Sequence, residues 1–294
     1  MEIRVLRYFL TVVREESINK AAEVLHITQP TLSRQLSQLE DEVGVKLFYR
    51  GARKITLTNE GILLRRRAEE ILSLVDRTEQ ELIEQDELVG GRIVIGCGEL
   101  SAVQVLSDII DSFHEKYPQV SFDLFTANAD LVKEHMEKGL VDIGVLLEPI
   151  DIEKFEFIRL QQKERWVVVM RADDPMAAKS AIRPEDLKDK PLILPRRLNV
   201  RNELYHWFGG SLHDQQTLFT SNLSTNGTLL VQKGLGYSIV IEGSLPFLDD
   251  KKIICRPLYP DLTASSVFAW KRQMPFSLAT SKFIDYTQCF LGIR

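Results

Sequence analysis

Residues 21–61 read AAEVLHITQPTLSRQLSQLEDEVGVKLFYRGARKITLTNEG, and their spacing sets the architecture of the first third of the chain. Ile18, Ala21, Ala22 and Leu25 fall on one face of a short helix, with Ser17 as its expected N-cap. After a break at His26-Ile27, Thr28 is placed to cap a second helix with Pro30 in its first turn, where a missing N–H costs nothing. Leu32, Leu36, Leu39 and Val43 give that helix a buried seam, and Gly44 suits its exit. Two short amphipathic helices joined by a tight turn are the layout in which the second helix enters a DNA major groove. Its outer face offers Gln29, Thr31, Ser33, Arg34, Ser37 and Gln38. Gln pairs bidentately with adenine and Arg with guanine, while Ser and Thr reach phosphates or base edges.

Charge placement separates this from an ordinary helical pair. The chain carries 37 Lys and Arg against 42 Asp and Glu, a net charge of -5, so it is not basic along its length. Yet no acid occurs from Val24 to Leu39, and from Val43 to Thr58 four basic residues (Lys46, Arg50, Arg53, Lys54) stand without one. Acid-free surfaces in an acidic chain point to polyphosphate lying against them; a merely solvated basic hairpin is the alternative. The extended runs Lys46–Tyr49 and Lys54–Leu57 around Gly51 read as a small β-hairpin, or wing.

Working outward, Leu6, Phe9, Leu10 and Val13 form the stripe of a first amphipathic helix. Downstream, Thr58 is an expected cap for a long helix to about Val89, closed by a Gly90-Gly91 hinge. Leu64, Ala68, Ile71, Val75, Thr78 and Leu82 recur at steps of four and three. That is a heptad seam and implies a dimerising partner helix, with packing on the helix's own domain as the alternative. Beyond Gly91 the texture becomes α/β. Apolar runs at Arg92–Ile95, Val120–Thr126 and Val141–Leu147, then Glu164–Met170, Pro191–Leu194, Gln216–Thr220 and Gly236–Ile241, alternate with helical stretches. A last strand at Ser265–Trp270 and a helix from about Phe276 to Leu291 close the chain. Such alternation predicts parallel sheets with right-handed crossovers, in two small lobes with a cleft between them.

With those residues in view, the segment Ala21–Gly61 resembles the LysR-type transcriptional regulator signature. The matches include Ala21-Ala22, Leu25, Gln29-Pro30, Leu32-Ser33-Arg34, Leu39-Glu40, Gly44, Leu47-Phe48, Arg50, Arg53, Leu57-Thr58 and Gly61. The segment LVQKGLGYSIV at 230–240 is similar to the family's second-lobe helix and strand, while Glu60 departs from its usual Ala. The resemblance implies a multidomain fold: a winged helix-turn-helix at 1–58, a linker helix at 59–90, and a two-lobed, periplasmic-binding-protein-like α/β effector domain at 91–294. Lobe 1 is expected at about 91–162 and 266–294, and lobe 2 at about 163–265. It also implies a DNA-binding regulator of promoters, acting in the cytoplasm at the nucleoid. Such a regulator is a dimer through the linker helix (Leu64, Ala68, Ile71, Val75, Leu82), assembles as a tetramer, and contacts RNA polymerase if it activates. Carried over, the groove contacts are Gln29, Pro30, Thr31, Ser33 and Arg34, and the wing contacts Arg50, Arg53 and Lys54.

For the effector cleft, Gly96-Cys97-Gly98-Glu99-Leu100-Ser101 lies between a strand and a helix. It is half of a G-x-G-x-x-G fingerprint; Ser101 replaces the third glycine, so no nicotinamide cofactor, and no other cofactor, is expected. A helix N-terminus there still suits a carboxylate or phosphate. The family's inducer pocket falls on Gly98, Glu99, Ser101, Asn128, Ala129 and Asn226, although Ser101 as a cap and Asn128 as a turn residue are equally consistent with the sequence. Ala129 stands where many members carry Ser or Thr. Arg196, Arg197 and Arg201 follow the 191–194 strand, on which an anionic small-molecule effector is expected, with a solvated basic run as the alternative.

Other classes fit less well. The five histidines form no H-x-x-x-H or H-E-x-x-H spacing, so neither an enzyme nor a metal site is expected. A transport solute-binding protein would account for two lobes but not for residues 1–90. Cys97, Cys255 and Cys289 are widely spaced and read as free thiols, with a redox switch at Cys97 lacking a nearby resolving thiol. The charged N-terminus and the lack of any run of about 18 apolar residues predict neither a signal peptide nor a membrane span.

Overall fold

A computed structural model describes residues 1–50, 55–83, 89–210, 217–245, 249, 251–272 and 274–293, with backbone only at 50, 77 and 80–83. It divides into two compact units, Met1–Gln85 and Asp86–Arg294.

In the first unit, helices α1 (Ile3–Glu15), α2 (Ile18–Val24) and α3 (Gln29–Val43) enclose a core of Phe9, Val12, Ala21, Leu32, Leu36 and Leu39. Ser17 caps α2 by accepting from the Lys20 N–H. Thr28 holds the N-cap position of α3 but makes no capping bond; its hydroxyl instead meets that of Thr31 at 2.8 Å. The expected cap is therefore replaced by a hydroxyl pair, and no described side chain caps the opening turn of α3. Gly44 leaves the helix at φ 73°, a conformation that suits glycine.

The wing is the antiparallel pair β1 (Phe48–Arg50) and β2 (Ile55–Leu57), with Phe48 opposite Leu57 and Arg50 opposite Ile55. What ties it to α3 is Glu40, almost fully buried, whose carboxylate accepts from the N–H groups of Leu47 (2.8 Å) and Phe48 (3.3 Å) and from Lys46 Nζ (2.9 Å). Burial works against its charge, but the Leu47, Lys46 and Phe48 bonds outweigh burial and hold the carboxyl below its ordinary value.

Helix α4 (Asn59–Ile83) follows, capped by Thr58, whose hydroxyl accepts from the Gly61 N–H and donates to the Lys46 carbonyl. Ala68 and Leu72 are buried in the unit's own core, and Leu64 and Ile71 pack against it. Of the expected seam, Ala68 thus lies in the unit's own core, while Leu64 and Ile71 are half-buried beside it. Val75 is half-buried, the Leu82 side chain and residues 84–88 lie outside the described residues, and Ile62, Leu63 and Leu74 are exposed.

The second unit starts at β3 (Gly91–Cys97), followed by α5 (Ala102–Lys116), β4 (Val120–Thr126), α6 (Ala129–Glu137) and β5 (Ile143–Leu147). These form a parallel set in the order β4-β3-β5, with a helix between successive strands, as the sequence predicts. The chain then departs from that prediction. The 17-residue β6 (Phe155–Arg171) passes from one lobe to the other, followed by β7 (Leu192–Pro195), α7 (Leu198–Trp207), β8 (Thr217–Ser221), α8 (Ser224–Gln232), β9 (Tyr237–Ile241) and β10 (Ile253–Pro257). Strand β11 (Thr263–Lys271) returns to the first lobe, and α9 (Leu278–Phe290) packs there.

The pairings β5–β11, β11–β6, β6–β9 and β6–β10 are all antiparallel, while β7–β8 and β7–β9 are parallel. The sheet is therefore mixed rather than wholly parallel: a strand that leaves a lobe and one that returns to it run side by side in opposite directions. The lobes join where β6 around Glu164–Trp166 meets Leu262 to Ser265.

Two outcomes are expected on the first unit. A Cβ on Gly61 would sit 2.2 Å from the Leu47 carbonyl oxygen, a backbone atom that cannot swing away. Gly61→Ala should lower stability by about 1–3 kcal/mol, read by thermal unfolding of the full chain; an unchanged melting temperature would show that the contact is loose. Glu40→Ala strands the Leu47 and Phe48 donors and should cost about 2–4 kcal/mol. Because the folded carboxyl titrates below its unfolded value, this stabilisation is complete above the ordinary carboxylate range and is lost as pH falls through the lowered value. The difference between wild type and Glu40→Ala should shrink in acid melts; a constant difference down to pH 3 would contradict the assignment.

Candidate DNA interface and effector cleft

Leu32, Leu36 and Leu39 anchor α3 in the core, so the opposite side of the helix must face solvent. Gln29, Pro30, Thr31 and Arg34 are exposed and Ser33 is half-buried. The Arg34 side chain makes no hydrogen bond or ion pair with any described residue. The first three turns of the helix carry no acid; the acids come at its far end, where Glu40 is buried and Glu42 is paired with the N-terminal amine. Of the wing residues, Arg50 has its backbone in β1 and its side chain outside the described residues, and Arg53 and Lys54 lie wholly outside them. Lys46, read from sequence as part of the basic surface, is paired with Glu40. Its role is structural as well as electrostatic.

In the second unit, a cavity of about 80 Å³ opens between the lobes. Gly98, Glu99, Asn128 and Ala129 line it from lobe 1, and Arg196, Arg197, Ser221 and Asn222 from lobe 2, over an apolar wall that includes Trp166. Two of the residues expected there are elsewhere. Ser101 lines neither this cavity nor its neighbour, its backbone and hydroxyl being pressed against Gly243; Asn226 is exposed on α8 and also lines neither. Asn128 caps α6, its Oδ1 accepting from the Leu131 N–H at 3.0 Å, which leaves its amide NH₂ as the group available to a ligand.

Three charged side chains hold the lobes, and none of these roles is visible in the sequence. Ser101 does not cap α5 with its side chain; Glu164 of β6, fully buried, does so by accepting from the Ser101 N–H (2.9 Å) and the Ala102 N–H (3.0 Å), and from the Ser266 hydroxyl (2.9 Å). Arg197, buried, donates across the cleft to Asp130 (3.1 Å) and to the carbonyls of Leu147 (3.0 Å) and Pro149 (2.9 Å). Its donors are therefore largely spent on the protein. Glu99 of lobe 1 accepts from the N–H groups of Ser224 (2.6 Å) and Thr225 (3.1 Å) and from the Thr225 hydroxyl. Arg196, by contrast, has no side-chain partner among the described residues, and Arg201 lies in α7 and lines neither cavity.

A second cavity of about 520 Å³ lies beyond Gly98-Glu99-Leu100 and includes Cys97 in its wall. Burial pushes the Cys97 thiol up from its ordinary value, which disfavours the reactive thiolate, and all three cysteines are free. Among the described residues no group of three His, Cys, Asp or Glu side chains is placed to hold a metal, and no helix is long and apolar enough to cross a membrane.

Comparison with known proteins matches this geometry. Residues 3–62 fit the family described as bacterial regulatory helix-turn-helix protein, lysR family, and residues 86–291 fit the LysR substrate binding domain. The HTH-type transcriptional regulator BsdA of Bacillus subtilis (strain 168) is 33% identical over 84% of this chain and 86% of its own. YvbU, an uncharacterised HTH-type transcriptional regulator of the same organism, is 29% identical over 99% of both chains. Among solved structures, CbnR, a LysR family transcriptional regulator, covers 98% of this chain and 99% of its own with a TM-score of 0.76 at 20% identity, a likeness of fold. The two family models together span residues 3–62 and 86–291, and the chain belongs to the LysR family of DNA-binding transcriptional regulators.

Proposed function

We propose that the chain reads promoter DNA through Gln29, Pro30, Thr31, Ser33 and Arg34 of α3, braced on the phosphates by Arg50, Arg53 and Lys54, and that an anionic small molecule in the cleft changes that binding. The observation that carries it is the outer face of α3: exposed, free of acid over its first three turns, and bearing an Arg34 guanidinium with no partner among the described residues. Arg34 is the base reader and the wing arginines hold phosphates.

The working division is 1–58 for DNA reading, 59–90 for the linker and 91–294 for effector sensing, supported by the starts of α4 at Asn59 and β3 at Gly91. Dimers form through α4, along the seam of Leu64, Ile71, Val75 and Leu82 beside the buried Ala68, together with the exposed Leu63 and Leu74. Such dimers pair into tetramers on DNA at the nucleoid. The anionic character of the effector rests on Arg196, whose side chain has no partner among the described residues, lining the same cavity as Asn128 and an apolar wall. Arg197, saturated by the protein, is a tie between the lobes and not the effector's counter-ion.

Binding to the region upstream of the chain's own gene, measured by gel shift and fluorescence anisotropy, tests the DNA half. Arg34→Ala should lose about 1–3 kcal/mol and relax specificity at one base pair. Arg53→Ala should weaken all sequences alike and flatten the salt dependence by roughly 0.9 in log–log slope; an unchanged slope removes Arg53 from the phosphate contacts. For the cleft, Arg196→Ala should weaken binding of small carboxylates about fivefold by calorimetry, a modest loss because the charge is solvent-exposed. Tight binding of neutral or cationic metabolites, with none of acids, would refute the anionic reading.

A further inference from the structure

The smaller cavity, at about 80 Å³, has room for only a handful of waters, whereas sites for metabolites run to roughly several hundred Å³. The cavity of about 520 Å³ lies on the other side of one loop, and Gly98, Glu99 and Leu100 line both spaces. The partition is held against lobe 2 by the Glu99 carboxylate, bonded to the Ser224 and Thr225 N–H groups and to the Thr225 hydroxyl.

We propose that Glu99 is the gate and specificity determinant of the effector cleft: its carboxylate stands where an effector's carboxylate binds, and the effector takes its place. This deepens, and rests on, the reading of the cleft as a site for an anionic effector. The exchange trades one carboxylate for another on the same donors, so little hydrogen-bond energy changes hands there. The net gain comes from what Glu99 does not use: the Arg196 guanidinium, the Asn128 amide NH₂ and the apolar wall that includes Val145 and Trp166. Two carboxylates cannot share that seat, because like charges at contact distance repel. Entry of an acid therefore expels Glu99, breaks one cross-lobe tie and joins the two cavities, while the Arg197 tie to Asp130, Leu147 and Pro149 remains. A neutral ligand offers no charge to exchange and leaves the partition closed. Wild-type affinity for an acid is thus reduced by the fraction of molecules in which Glu99 is seated.

The test is calorimetric titration of the full chain with sodium isobutyrate and sodium succinate, and with the matching amides. Wild type is compared with Glu99→Gln, which keeps the size, and Glu99→Ala; thermal unfolding reports folding of each. Both variants should bind the acids about tenfold tighter than wild type, with the amides unaffected. Without ligand, the Ser224 and Thr225 amides should exchange hydrogen faster in the variants than in wild type. Equal or weaker acid binding in both variants overturns the gate, as does an equal gain for acids and amides. Acid binding that depends on Arg196 but is indifferent to Glu99 overturns the gate alone and leaves the anionic effector standing. No acid binding by any of the proteins removes both.

Discussion

The DNA reading proposed for this chain depends on one packing constraint: α3 has a single apolar stripe, and the core claims it. Leu32, Leu36 and Leu39 are essentially without solvent exposure. With that side fixed, Gln29, Thr31, Ser33 and Arg34 have nowhere to go but outward, at the end of the helix that begins without a capping side chain. Glu40 extends the constraint to the wing. It sits on the buried side of the same helix and receives the backbone of Leu47 and Phe48, so the strand pair is registered against the helix whose other face carries Gln29, Thr31 and Arg34. A buried carboxylate with two N–H donors and a lysine ties the wing to the helix at a fixed register.

The sensing unit uses the same device differently. Glu164, Glu99 and Arg197 each carry charge into the join between the lobes, and each is satisfied mainly by backbone groups rather than by a mobile counter-ion. Backbone partners are fixed by the fold, so these ties define lobe positions more sharply than surface ion pairs do. They differ in burial: Glu164 is fully enclosed at the strand crossing, while Glu99 is half-exposed at the cleft. The first is thus sealed from solvent, whereas the second remains within reach of a molecule entering the cleft.

The helix-turn-helix was legible because its evidence is local: a 3.6-residue period, a Ser cap, a Gly exit and an acid-free face all lie within 40 residues. The two-lobed α/β character was legible for the same reason. What the sequence hid depends on long-range partners. The stretch Phe155–Lys163 is too polar to announce a strand, yet it forms the first half of β6 by pairing with β11, more than a hundred residues away. The 4-3-4-3 spacing of α4 fits a partner helix and the helix's own core equally, and only the structure shows Ala68 and Leu72 taken by the core. Glu164 in a sequence is one more surface acid. Arg196, Arg197 and Arg201 look alike there, yet the structure places the first in an open cavity wall, the second in three bonds across the cleft, and the third in a helix away from both cavities.

The claim at the centre is that the outer face of α3 lies in a major groove. Methylation interference on the promoter fragment, with the full chain bound, tests it directly, because a methyl at guanine N7 blocks only major-groove contacts. The account predicts interference at guanines within two half-sites about one helical turn apart, or a multiple of it, each matching one α3 of a dimer. A stable, sequence-specific complex whose footprint contains guanines, none of them sensitive to N7 methylation, would contradict it.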